Sequence, residues 1–217
     1  MLSFLKTTLG LFVAPAHCSF CRANLSVRFP LCDHCLHKIH PVLAASLQIS
    51  QSRRMSVYAM GAYEEPLKSL IVAKHGSNVA AATQLGMLMA HHFASYTIPC
   101  DLLVPVPLHW RRYAARGYNQ AEIIAQELGR CWNVPVVNLL QRKRHTALQV
   151  TQEVHKRQEN VHEAFKIVDE LAQAYRDKHI VLVDDLLTTG STLGAAGRVL
   201  TKLQPASLSA VVAARVV

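Results

Sequence analysis

A chain of 217 residues, 51% apolar but only 6% aromatic, has enough core-forming side chains for one medium domain with a small appendage, and its Ala, Val and Leu favour helices on a parallel sheet over an all-β fold. With 23 Lys and Arg against 14 Asp and Glu, the net charge of +9 points to an anionic partner such as a nucleic acid, a nucleotide or a diphosphate. No apolar stretch reaches membrane-spanning length, and there is neither a long low-complexity run nor a convincing internal repeat.

Met1 to Ala16 is apolar with one Lys. Its apolar core is short and no small-x-small cleavage site comes cleanly after it, so it reads as a short amphipathic helix rather than a signal peptide. Next come Cys18-x-x-Cys21 and, ten residues on, Cys32-x-x-Cys35. Doubled CxxC knuckles put four thiolates within reach of one tetrahedral centre, and Zn²⁺ takes four sulfurs at about 2.3 Å in closed, structural sites. Disulfides are the competing reading, but this spacing in a small module favours zinc and a reducing compartment, hence a cytoplasmic location. His17, His34, His37 and His40 crowd the region and read as surface residues or donors to the thiolates. Cys100 and Cys131 lack partners at ligand spacing and read as small apolar packing residues. The expected division is an N-terminal helix and four-cysteine module over 1–45 and a larger domain over 52–217. So small a module needs the metal for its folding energy. Chelation is therefore expected to unfold residues near 15–40 and spare the larger domain.

Ser56 to Tyr63 reads as a strand, Glu64 to Ala73 as a helix and Asn78 to Tyr96 as a longer helix. Lys74-His75-Gly76 between them has the character of a helix C-terminus. Asp101 to Val104 reads as a strand leaving through the stiff loop Pro105-Val106-Pro107-Leu108-His109. Arg111, Arg112 and Arg116 come next, then Gly117-Tyr118-Asn119-Gln120 and a helix to Arg130. Ligand loops of α/β sheets lie at the carboxyl ends of strands, so three guanidiniums here suit a pyrophosphate or a nucleic-acid backbone. A solvated basic face is the alternative. Val134 to Leu140 reads as another strand, with the basic cluster Arg142, Lys143 and Arg144 after it. That cluster overhangs the site or forms a flap that meets nucleic-acid phosphate. Trp110, Tyr113 and Tyr118 are the stacking candidates nearby, which limits any single-strand-binding role.

The most informative stretch is the penultimate core strand, His179 to Val183, together with Asp184-Asp185-Leu186-Leu187-Thr188-Thr189-Gly190-Ser191-Thr192 and then a helical pattern from Leu193 to Leu203. Amides at a helix N-terminus, hydroxyls and a glycine suit a phosphate. Two adjacent acids would repel a bare phosphate. They suit a ligand that also carries hydroxyls or a divalent cation, and a ribose 5-phosphate meets both conditions. The competing reading is an ordinary turn with a strand-end Asp and an N-cap Thr.

This string resembles the PRPP-binding motif of type I phosphoribosyltransferases. The resemblance implies that Asp184 and Asp185 hold the ribose hydroxyls and act as the catalytic carboxylates. Thr188, Thr189, Gly190, Ser191 and Thr192 then hold the 5-phosphate, and Mg²⁺ accompanies PRPP. Further elements occur in order: the cysteine knuckles, Val104-Pro105-Val106-Pro107-Leu108-His109, Arg116-Gly117-Tyr118-Asn119-Gln120-Ala121, Arg142-x-x-x-Thr146-x-x-Gln149, and Arg157 to Asn160-Val161. Together they resemble the ComF/GntX family over essentially the whole chain, although Lys74-His75-Gly76 departs from the Lys-Phe-x-Gly form expected there. The resemblance implies an α/β fold with a phosphoribosyltransferase type I-like, mostly parallel sheet flanked by helices and a small zinc-binding module. It implies a role in bacterial DNA uptake or use of external DNA, with single-stranded DNA and DNA-uptake proteins as partners. Whether the chain is an active phosphoribosyltransferase, a glycosyltransferase of this class, is left open. No general base or acceptor pocket is assignable. A non-catalytic DNA-binding or sensor module that retains the PRPP site, and a zinc-held docking scaffold, are the rival readings.

Overall fold

Two long apolar strands organise the molecule. In the computed structural model, which describes residues 16–73, 78–142, 164–168 and 174–217, they lie side by side at the centre of the sheet. The expected N-terminal helix, Lys74-His75-Gly76, Lys143, Arg144 and the elements around Gln149 and Asn160 lie outside the described residues, as do the side chains of Trp110 and Arg111.

The described elements are β1 (Ala16–His17), β2 (Asn24–Leu25), α1 (Asp33–Leu36), β3 (Ala45–Gln48), β4 (Arg54–Ala62), α2 (Leu67–Ala73), α3 (Val79–Phe93), β5 (Leu102–Pro105), α4 (Trp110–Arg116), α5 (Gln120–Trp132), β6 (Leu140–Arg142), β7 (Phe165–Ile167), β8 (His179–Leu187), α6 (Ser191–Leu200) and β9 (Ser207–Arg215). The main sheet has the order β3-β4-β9-β8-β5. The pairs β4–β9, β9–β8 and β8–β5 are parallel, and β3 adds an antiparallel edge. Strands covered on both faces carry near-continuous apolar runs. Ile180 to Val183 and Leu208 to Ala214 accordingly are buried throughout, and all are apolar but Ser209.

The two-residue period of the strands divides the core. Ile180, Leu182, Ala210 and Val212 face α6 and the β6–β7 ribbon. Val181, Val183, Val211 and Ala213 face α2, α3 and α5. The second layer extends into the cysteine module, because Cys18, Leu31 and Cys35 join the same cluster as Met60, Leu67 and Leu85. The Ala62 N–H donates to the His40 carbonyl at 2.9 Å and ties that module to the end of β4. Among the described residues no helix is long and apolar enough to cross a membrane.

Three local expectations change. The segment Val134 to Leu140 is not one strand: Val136 makes a single parallel bridge to Leu103, and Leu140–Arg142 turns away to pair with β7. Pro135 has no N–H to extend the ladder. The run Trp110 to Arg116, between the expected loop and the expected helix, forms α4; its Arg and Ala residues are good helix formers, and Gly117 ends it at φ 81°. Finally β8 continues past Val183 to Leu187, so the two acids belong to the strand.

Candidate functional site

Asp184 and Asp185 are half-buried near the carboxyl end of β8. The register steps from Asp184↔Val212 to Leu186↔Ala214, and the Asp185 N–H donates to Asp184 Oδ1 at 2.9 Å. Beyond Leu187 the chain turns at Gly190, whose φ of 78° is the left-handed conformation that glycine adopts without penalty. The Thr189 and Ser191 hydroxyls are 2.8 Å apart, and the Ser191 N–H points to Thr189 Oγ1 at 3.4 Å. Helix α6 starts here, so its first amides and the positive end of its dipole face this turn.

The exit of β5 lies beside this turn because β5 and β8 are parallel neighbours. Between them opens a cleft of about 230 Å³. Asp184, Asp185, Thr188 and Thr192 form one wall, and Val106, Pro107 and Leu108 form another. Arg112 and Arg116 reach it from α4, Arg142 from β6, and Asn119 and Gln120 from the start of α5; Ile71 of α2 closes the apolar side. Arg142 lies 5.2 Å from the ring centroid of the buried Phe165, a cation–π contact. Burial, with the like charge of Arg112, lowers the Arg142 pKa, while Asp184 opposes the shift. The cleft thus sets two carboxylates against three guanidiniums across a gap of ligand size.

Most of the candidate residues meet in this cleft. Arg112, Arg116, Arg142, Asp184, Asp185, Thr188 and Thr192 line it, and Thr189, Gly190 and Ser191 form the adjoining turn. The Arg111 side chain, Lys143 and Arg144 lie outside the described residues. Two residues of the Gly-Tyr-Asn-Gln string had no assigned role. Asn119 Nδ2 donates to the Val106 carbonyl at 3.1 Å and pins the β5 exit loop. Gln120 is 4% exposed and accepts from Arg116 Nη1 at 2.8 Å. A carboxamide at a helix start reads as a surface residue in sequence, so only the fold reveals its burial.

The second constellation is the cysteine cluster. The sulfurs of Cys18, Cys21, Cys32 and Cys35 all lie within 4.8 Å of one another, with Cys21 and Cys32 3.6 Å apart. All four are free thiols. A tetrahedral S₄ site with bonds of about 2.3 Å needs sulfurs about 3.8 Å apart, so the spacing suits a metal rather than disulfides at about 2.05 Å. Burial pushes the Cys18 thiol up, but the N–H groups of Cys21, Cys32 and Phe20 at its sulfur outweigh it and bring the pKa down to about 6. Cys35 is pushed up to about 12 by burial and by its three sulfur neighbours. The nearby histidines stand apart: His37 Nδ1 contacts the Asp33 carbonyl, His40 Nδ1 contacts Glu64, and His17 and His34 are exposed. Cys100 is half-buried and its thiol is pushed up to about 12 by burial, whereas Cys131 is exposed on α5 instead of packed.

The Phosphoribosyl transferase domain family matches residues 114–216. Competence protein F of Haemophilus influenzae is 30% identical over 197 residues, covering 86% of this chain and 84% of that protein. DNA utilization protein YhgH of Salmonella typhimurium is 30% identical over 196 residues, covering 84% of this chain and 83% of that protein. Among solved structures, the glutamine phosphoribosylpyrophosphate amidotransferase from B. subtilis, complexed with ADP and GMP, superposes with a TM-score of 0.43 at 16% identity, covering 64% of this chain and 26% of that one; this chain spans about a quarter of that protein. With its four-cysteine cluster ahead of a phosphoribosyl transferase domain, the chain belongs to the competence protein F family that includes YhgH.

Proposed function

We propose that this protein binds PRPP in the cleft between β5 and β8 and is a phosphoribosyltransferase-like protein serving DNA uptake or the use of external DNA. The observation that carries the proposal is the meeting of Asp184 and Asp185, the Thr188–Thr192 turn and three arginines around one cleft. The turn holds the 5-phosphate, the two acids accept from the ribose hydroxyls, and the arginines face the diphosphate. Asp184 and Asp185 also offer the hard oxygen donors that Mg²⁺ prefers, and the ion would neutralise diphosphate charge. In a transfer reaction the bond from the anomeric carbon to the diphosphate breaks as the acceptor attacks. Positive charge grows on the ring, where the two acids oppose it. Negative charge grows on the departing pyrophosphate, where Arg112, Arg116 and Arg142 meet it. Such catalysis is positioning and electrostatics.

Zn²⁺ is the proposed occupant of the cysteine cluster, held by Cys18, Cys21, Cys32 and Cys35 as a closed structural site. A reducing cytoplasm keeps such thiols available to a metal, so a cytoplasmic location is part of the proposal. The division into a module over 1–45 and a domain over 52–217 belongs to it as well.

Titration of the full chain with PRPP and Mg²⁺, with pyrophosphate release measured across candidate bases, tests the proposal. Saturable binding supports it, and no binding defeats it. Binding without release with any base selects the second reading, a non-catalytic sensor or single-stranded-DNA-binding module. The observation favouring that reading is the exposed α4, which carries Arg112 into the cleft and the 52% exposed Tyr113 next to it in sequence. It requires single-stranded DNA binding with a steep salt dependence.

A further inference from the structure

Gln120 is one of only two polar side chains buried among the described residues, the other being Ser209. A buried carboxamide left without a hydrogen bond carries the full cost of its desolvation. Its Oε1 accepts from Arg116 Nη1 at 2.8 Å, and both residues line the cleft. The pair is four apart in sequence but is not a helical pair. Arg116 ends α4 and Gln120 begins α5, so the contact depends on the bend between them. Gly117 makes that bend at φ 81°, with nothing within 4 Å of where its Cβ would stand; the position demands the conformation and not the space. Asn119 fixes the other side of the turn by donating to the Val106 carbonyl instead of capping its own helix. The whole segment is thereby anchored to the β5 exit.

The chemistry of the acceptor matters. A carboxylate at position 120 would also hold Arg116, but it would cancel the guanidinium's charge inside the cleft. A neutral amide holds the group without adding a charge that cancels it. We propose that Gln120 is a positioning residue that aims Arg116 at the diphosphate of the bound substrate. This rests on the PRPP reading above and adds which buried group sets the geometry of the cationic wall.

The test uses the full-length chain and two ligands measured separately by calorimetry: inorganic pyrophosphate with Mg²⁺, and ribose 5-phosphate. Gln120→Met keeps the shape and removes the acceptor. Gln120→Glu keeps the acceptor and adds a charge, and it covers the case in which the Met variant does not fold. Both variants are expected to weaken pyrophosphate at least tenfold while ribose 5-phosphate changes less than twofold. Gln120→Glu is also expected to flatten the salt dependence of pyrophosphate binding. In a double-mutant cycle, Gln120→Met adds little once Arg116 is Ala. Equal losses for both ligands, unchanged pyrophosphate affinity, or additive effects in the cycle overturn the inference while leaving the PRPP reading intact. A wild-type protein that binds neither ligand removes that reading, and the inference with it.

Discussion

Leu47 sits directly on the backbone of Gly190: a Cβ at position 190 would lie 2.7 Å from Leu47 Cδ2. The contact joins the antiparallel edge strand β3 to the turn after β8, so the edge strand braces the candidate phosphate turn from outside. Position 190 is constrained twice, by this contact and by its φ of 78°. Gly190→Ala is expected to cost about 1–2 kcal/mol from the left-handed backbone alone. It should also weaken PRPP binding at least tenfold. Adding Leu47→Ala should relieve the steric part and not the backbone part. Full recovery in the double variant, measured by thermal denaturation and PRPP titration, would show that conformation plays no role.

Asp184 and Asp185 should differ in effect. Asp184 accepts from the Asp185 N–H and influences Arg142, so in the proposed site it would hold the wall as well as the ligand. Asp184→Asn is expected to lower PRPP affinity more than Asp185→Asn does, by tenfold or more against wild type. Equilibrium binding at fixed Mg²⁺ decides this, and equal affinities for wild type and Asp184→Asn would count against the site.

Metal removal should reach beyond the cysteine module. Cys18, Leu31 and Cys35 pack in the same core as Met60, Leu67 and Leu85, so the larger domain loses its cover when the module opens. This differs from the expectation, drawn from the small size of the module, that chelation spares that domain. Chelation or Cys35→Ser is expected to lower the melting temperature of the whole protein and expose α2 and α3 to amide exchange. Exchange confined to residues 16–40 would restore the simpler expectation.

His92 should give acid sensitivity. It packs against Phe93 and Tyr96 with ring centroids 4.9 and 5.4 Å away, and its Nε2 is buried without a partner among the described residues. Burial, with the neighbouring His91, lowers its pKa from the usual 6.5. The unfolded chain therefore takes up this proton first as pH falls. The stabilising contribution is complete above pH 6.5 and is lost as pH drops through the lower folded value. His92→Phe is expected to flatten the stability curve below that pH by up to one proton's slope, read from denaturant midpoints across pH. An unchanged slope would mean that His92 carries no such linkage.

The strings whose chemistry is local were legible in the sequence. Doubled CxxC spacing announces a four-thiolate centre, because short loops bring near neighbours together whatever the rest of the chain does. The apolar strand, acid pair and hydroxyl turn likewise announce a strand, a turn and a helix in that order, and the acids and Thr188 and Thr192 do line one cleft. Contacts that depend on how distant elements stack were not legible. The cross-strand pairing that sets Arg142 against Phe165 is one of these. Gln120 is buried against Arg116 from the far side of the Gly117 bend, and Leu47 of the antiparallel edge strand meets Gly190. Residue type and spacing thus determined which groups were available. Tertiary packing decided which of them face one another, because burial and charge pairing depend on neighbours that the chain supplies from far away.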